Sequence, residues 1–162
     1  MQEKNKKKKI ISNSYVSKSI LDTEKIAKNI AKNAKVNDIY CLKGDLGVGK
    51  TVIAKAIGNF FNVKDNVSSP TFTILKSYDL NNKKIKKIHH FDLYRIKNIH
   101  ELDNVGFSDY LYDKNSIVLI EWPEVAYDLL PNHYKTITIK KVANDNSEFV
   151  EDERLIIYKE KW

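Results

Sequence analysis

The string Gly44-Asp45-Leu46-Gly47-Val48-Gly49-Lys50-Thr51 constrains this chain more than any other feature, because it fits the pattern GxxxxGK[ST] and takes three of only five glycines in the sequence. Glycines at that spacing let consecutive backbone N–H groups turn inward around a phosphate, leave Lys50 to reach the β- and γ-phosphates, and set the Thr51 hydroxyl where it can ligate Mg²⁺. Such a loop works between a strand and a helix, since the helix N-terminus adds partial positive charge to the phosphate site. Both flanks comply. Ile39-Tyr40-Cys41-Leu42 is a short apolar run of strand type, and Val52, Ile53, Ala56, Ile57, Phe60 and Phe61 recur at helical spacing. The sequence therefore predicts a nucleoside triphosphate site with Asp45, Leu46, Gly47, Val48, Gly49, Lys50 and Thr51 around the phosphates.

The rest of the chain fits one α/β domain around that loop, as 162 residues with no shift in composition suggest. Ile26, Ala27, Ile30, Ala31 and Ala34 share a helical face, with Ser19, Asp22 and Thr23 as candidate N-caps. Residues 62–69 are polar and loop-like. Two β-type runs at 72–78 and 85–91 flank a polar turn and predict an antiparallel hairpin, an insertion in an otherwise parallel plan. A short helix at 99–104 ending at Gly106, a buried central strand at 117–120, a helical segment at 124–130 stopped by Pro131, and late strands at 136–140 and 155–158 complete a mixed, largely parallel sheet flanked by helices. The expected fold class is thus α/β of the P-loop NTPase kind.

Composition narrows the setting. No stretch reaches the ~18 consecutive apolar residues of a membrane span, and the basic N-terminus lacks the apolar segment of a signal peptide, so a cytoplasmic protein with no membrane association is expected. The net charge of +7 is almost all Lys, with only Arg95 and Arg154 as arginines. Lys6-Lys7-Lys8-Lys9 reads as a solvated tail, so residues 1–12 are assigned to a disordered basic arm and 13–162 to the domain. The lone Cys41 sits in the strand feeding the loop and reads as small apolar filler. His89, His90, His100 and His133 show no metal-ligand spacing and default to core or surface roles.

A phosphate loop that uses Mg²⁺ needs a carboxylate at the end of a neighbouring strand, because the ion takes oxygen ligands that phosphates alone do not complete. Glu121, directly after the apolar run 117–120, is the metal candidate, since ligands gather at the carboxyl ends of central strands. Asp92, ending the second hairpin run, reads either as another site carboxylate or as a turn-capping Asp. No NKxD string for guanine occurs, and Asp103-Asn104-Val105-Gly106 follows a polar segment instead of the strand a GTPase switch needs. No Arg-bearing lid of a small-molecule kinase is evident.

Taken with the glycine loop, the strings Ser69-Pro70-Thr71-Phe72, His90-Phe91-Asp92-Leu93-Tyr94-Arg95, Glu101-Leu102-Asp103-Asn104-Val105-Gly106-Phe107 and Ile120-Glu121-Trp122-Pro123-Glu124 resemble the TsaE family, in that family's order and over most of the chain. The resemblance implies a bacterial ATPase that acts with the TsaD and TsaB proteins in forming N6-threonylcarbamoyladenosine on tRNAs reading codons that start with A. It implies tRNA contact through the complex, ATP and Mg²⁺ as cofactors, low intrinsic hydrolysis, and transfer chemistry that resides in TsaD. Carried onto this sequence, residues 45–50 would hold phosphates, Thr51 and Glu121 would hold Mg²⁺, Asp92 would assist the attacking water, and Thr71 would be a switch-like threonine. Trp122 is then either a stacking or partner-contacting aromatic or a rim residue. Val52 stands where the family usually has a second Thr or Ser, which removes a hydroxyl contact to the α-phosphate, at about 1 kcal/mol for one hydrogen bond. The alternative function is a nucleotide-gated binding module whose hydrolysis is incidental.

Overall fold

The computed structural model describes residues 10–161. Strand β5 (Ser116–Glu121) is buried at every position, which is why its sequence is a continuous apolar run and not an alternation. It lies between β2 (Ile39–Lys43) and β4 (Lys87–Asp92), and both pair with it in parallel. β6 (Tyr134–Ala143) adds to the other side of β2, also in parallel. The flanks are antiparallel: β3 (Leu75–Asp79) pairs with β4, β7 (Phe149–Lys161) with β6, and β1 (Ile10–Ser17) with β7. The seven-stranded sheet therefore runs β1-β7-β6-β2-β5-β4-β3, parallel in the middle and antiparallel at both edges.

Helices cover both faces. α1 (Ile20–Ala31) and α2 (Lys50–Phe60) lie on one, where Ala27, Ile30, Ile53 and Ile57 pack against Tyr40, Leu42, Ile117 and Leu119. α3 (Glu101–Asn104), α4 (Phe107–Leu111) and a 3₁₀ helix (Pro123–Leu129) lie on the other, where Leu102, Phe107 and Ala126 meet Cys41, Phe91 and Ile120. Alternation along a strand divides these two sets: Phe91 faces one layer while His90 and Asp92 face the other. Ser19 caps α1, accepting from the Asp22 amide at 3.1 Å. At the end of the sheet away from the glycine loop, buried Lys135 donates to Asp38 at 2.6 Å, tying β6 to the residue before β2. His89 bridges Ser77 on β3 (2.8 Å) and Asp113 before β5 (2.9 Å), securing the edge hairpin.

Several boundaries differ from the sequence reading. The assigned tail limit at residue 12 falls inside β1, and residues 1–9, with the Lys6–Lys9 run, lie outside the described residues. β1 itself was not expected. The hairpin forms, but β3 begins at Leu75 because Pro70 O accepts from the Thr73 and Ile74 amides (3.0 and 2.6 Å) and holds Phe72 in a turn. β4 likewise begins at Lys87, two residues later than read. The expected helix at 99–104 forms as α3, and a second short helix, α4, not read from the sequence, follows Gly106, whose φ of +64° is the left-handed conformation that lets the chain restart. The segment at 124–130 is a 3₁₀ helix, and β6 and β7 each extend well beyond 136–140 and 155–158.

Candidate functional site

The parallel pairing brings three strand ends to one edge. Leu42 and Asp92 are both in register with Glu121, so the glycine loop after β2, the Asp92 carboxylate and the Glu121 carboxylate meet at the carboxyl ends of neighbouring strands. Together with residues of 69–71 and Trp122 they line a cleft of about 390 Å³.

The loop has the backbone its sequence demands. Gly44, Gly47 and Gly49 have φ of +140°, +72° and +115°. At Gly44 the need is double, since a Cβ there would also lie 2.4 Å from the Ile139 carbonyl oxygen of β6. Among the described residues no backbone carbonyl accepts from the amides of Leu46, Gly47 or Gly49. These donors open onto the N-terminus of α2, whose first-turn amides also lack helical partners. The loop thereby keeps unpaired N–H groups beside a helix N-terminus, the kind of arrangement that binds an anion.

Lys50 begins α2 and is buried, with its ammonium donating to the carbonyls of Gly44 and Asp45 at 2.7 Å each. It also lies 3.7 Å from the centroid of the Trp122 indole. Burial pushes its pKa below the usual lysine value, while the carboxylates of Glu121, Asp92 and Asp45 pull it back up. An arriving phosphate would supply the negative charge that this desolvated cation lacks.

Thr51 and Glu121 are in direct contact: Thr51 Oγ1 donates at 3.1 Å to both carboxylate oxygens. Glu121 is only 3% exposed. A hydroxyl and a carboxylate side by side form a hard oxygen set suited to Mg²⁺, to be completed by phosphate and water, because among the described residues no cluster of three His, Cys, Asp or Glu could hold an ion unaided. The residues present therefore fit the ion.

Asp92 is buried beside them. Its Oδ2 accepts from Thr71 Oγ1 at 2.6 Å and from Ser69 Oγ, those two hydroxyls are 2.7 Å apart, and Oδ1 accepts from the Tyr94 amide at 3.1 Å. Of the two roles open to Asp92, the turn-capping bond to Tyr94 is present, and so is a place in the cleft. Trp122, half-buried with a left-handed φ of +56°, lies against Tyr94 with ring centroids 5.1 Å apart. Arg95 stands over the exposed Phe72 ring at 4.3 Å.

Residues 45–51, Thr71, Asp92 and Glu121 thus line the cleft or build the loop beside it. One was missed. His90 is fully buried on the site face of β4 and hydrogen-bonds Glu121 Oε1 through Nε2 at 2.9 Å. Its position two residues before Asp92 on a strand was a signal that both share a face, but only the parallel register with β5 brings Glu121 within reach. A second cleft of about 180 Å³ lies on the far side of the loop, lined by Ser19, Ile20, Thr23, Val48 and Arg154, and shares Gly47, Gly49 and Val52 with the first.

Comparison with known proteins bears on the family and the fold. The family model described as "Threonylcarbamoyl adenosine biosynthesis protein TsaE" matches residues 17–149. The tRNA threonylcarbamoyladenosine biosynthesis protein TsaE of Rickettsia felis is 41% identical over 110 residues, covering 67% of this chain and 61% of that protein, so the match spans less than two thirds of that relative's length. The Bacillus subtilis protein of the same name is 35% identical over 127 residues, covering 78% of this chain and 77% of that protein. The crystal structure of YdiB from Bacillus subtilis superposes with a TM-score of 0.72 at 28% identity, covering 94% of this chain and 87% of that one.

Proposed function

The chain belongs to the TsaE family, and from that premise we propose that it is the ATP-binding and ATP-hydrolysing subunit of the machinery that forms N6-threonylcarbamoyladenosine on tRNAs reading codons that start with A. It acts in the cytoplasm with TsaD and TsaB, and reaches tRNA through that complex. The observation that carries the ATPase reading is the 3.1 Å contact of Thr51 with Glu121 at the mouth of an unpaired amide loop. It supports a metal-ligand pair close to the phosphates of a nucleotide bound on this loop.

In this reading the amides of residues 45–49 and the Lys50 ammonium bind the β- and γ-phosphates. Thr51 and Glu121 hold Mg²⁺, which when bound neutralises charge developing on the phosphoryl oxygens. Asp92 accepts a hydrogen bond from the attacking water and orients it, and Thr71 follows the state of the γ-phosphate as its loop moves. The nucleoside half lies in the second cleft. Val52, shared by both clefts, faces the α-phosphate without a hydroxyl, so backbone donors alone serve that group.

A second reading, a nucleotide-gated binding module with incidental hydrolysis, is favoured by one observation: both Asp92 oxygens are already engaged, Oδ2 by Ser69 and Thr71 and Oδ1 by the Tyr94 amide. Hydrolysis measured alone and with the TsaB–TsaD pair separates the two. Strong stimulation by the partners supports the ATPase, whereas ATP-dependent complex formation with unchanged hydrolysis supports the module. Lys50→Ala should abolish calorimetric ATP binding, and normal binding by that variant refutes the nucleotide site itself.

A further inference from the structure

The Glu121 carboxylate is held from two sides. Thr51 donates to both of its oxygens from α2, and His90 approaches from β4 with Nε2 2.9 Å from Oε1. Facing a carboxylate, Nε2 carries the ring hydrogen and donates it, which leaves Nδ1 as an acceptor. Nδ1 has no hydrogen-bond partner among the described residues, and His90 is 0% exposed. A fully buried ring with one nitrogen unpaired costs stability that an apolar residue would not, and Ile88, two residues earlier on the same face of β4, shows that an apolar side chain fits this layer of the fold. The cost calls for a compensating role, and the Glu121 bond is the one polar contact the ring makes among the described residues.

We infer that His90 is a positioning residue for the metal-binding carboxylate: by occupying Oε1 it fixes the Glu121 rotamer and leaves Oε2, beside the Thr51 hydroxyl, as the oxygen presented to a divalent cation. The inference rests on the metal reading of Thr51 and Glu121 given above. The logic is that of histidine–carboxylate pairs around metals, in which the partner behind the ligand sets its orientation and basicity. Here the order is reversed, with the carboxylate as ligand and the imidazole as its support. A donor on a strand paired on both sides confines the carboxylate more tightly than packing does, because Glu121 has two free χ angles and a roughly two-fold third.

The test uses the full chain and reads metal binding, not turnover. Mn²⁺ binding to the protein–ADP complex is followed by the electron paramagnetic resonance signal of free Mn²⁺, ADP affinity in EDTA by calorimetry, and folding by urea denaturation. His90→Leu should weaken Mn²⁺ about tenfold or more, the loss typical of removing an outer partner, with ADP affinity in EDTA unchanged. His90→Gln, whose amide reaches the Nε2 position, should recover most of that loss. If His90→Leu does not fold, the same contrast is read between His90→Gln and His90→Asn, whose shorter amide stops at the Nδ1 position. Wild-type Mn²⁺ affinity in the variant lacking the donor, or equal losses in the Gln variant and its comparator, overturns the inference. Failure of the unmodified protein to bind Mn²⁺ with ADP removes the metal reading first, and the role of His90 with it.

Discussion

Thr51→Val keeps the shape and branching of the side chain and deletes one hydroxyl, so its effect on the free protein depends on what Glu121 loses. Thr51 Oγ1 serves both carboxylate oxygens at 3.1 Å, and with Glu121 at 3% exposure solvent does not readily replace it. His90 remains as the other side-chain donor. A hydrogen bond to a charged group contributes about 1.5–3 kcal/mol, and Val and Thr differ little in helix propensity. Urea denaturation without nucleotide should therefore show unfolding free energy lowered by about 1.5–3 kcal/mol, with the denaturant slope unchanged because the surface exposed on unfolding is the same. Nucleotide titrations by calorimetry should show the second half of the effect. In EDTA the variant binds ADP as the parent does, through amides and Lys50, but the gain in affinity that Mg²⁺ brings to the parent is lost. A variant as stable as the parent that keeps the full Mg²⁺ gain refutes the shared hydroxyl–carboxylate site.

Asp92→Ala should retain nucleotide affinity while single-turnover hydrolysis falls about 10²-fold or more, as expected for a group that acts on the water in the transition state; a parallel loss of affinity would assign Asp92 to binding or to loop structure instead. Acid titration offers a test away from the site. The His89 hydrogen bond, followed by the Asn115 amide, holds the Asp113 carboxyl below its usual value of 3.8. A depressed carboxylate contributes stability above its unfolded pKa and loses it as pH falls through the folded one. Asp113→Asn should accordingly be less stable than the parent at neutral pH, with the gap closing only below pH 3.8; a gap that is constant across that range means the bond does not depend on charge.

What the sequence made legible follows from where the physical constraint was local. The glycine loop is local: three glycines at fixed spacing, a strand before and a helix after can all be read within some twenty residues, and Glu121 follows a short apolar run, 117–120, whose β-branched residues fit a buried strand. β1 is the opposite case. Its sequence, Ile10 to Ser17, shows no buried face because residues 11–16 are exposed on an edge, and what makes it a strand is the ladder to β7 across the length of the chain. The hairpin was readable by composition, but not its start, because the backbone bonds to Pro70 take Phe72 and Thr73 out of the sheet although both are good strand formers. His90 needed tertiary register. Nothing within its own segment distinguishes a core histidine from one that meets Glu121, 31 residues on.

Trp122 follows Glu121 directly, precedes Pro123, and has the left-handed φ of +56°. A non-glycine residue in that conformation costs about 1–3 kcal/mol and persists only where its surroundings impose it. The torsion reverses the chain as soon as β5 ends and folds the indole back over Lys50. One backbone torsion, set directly after the acidic end of β5, thus decides where the aromatic cover of the lysine lies.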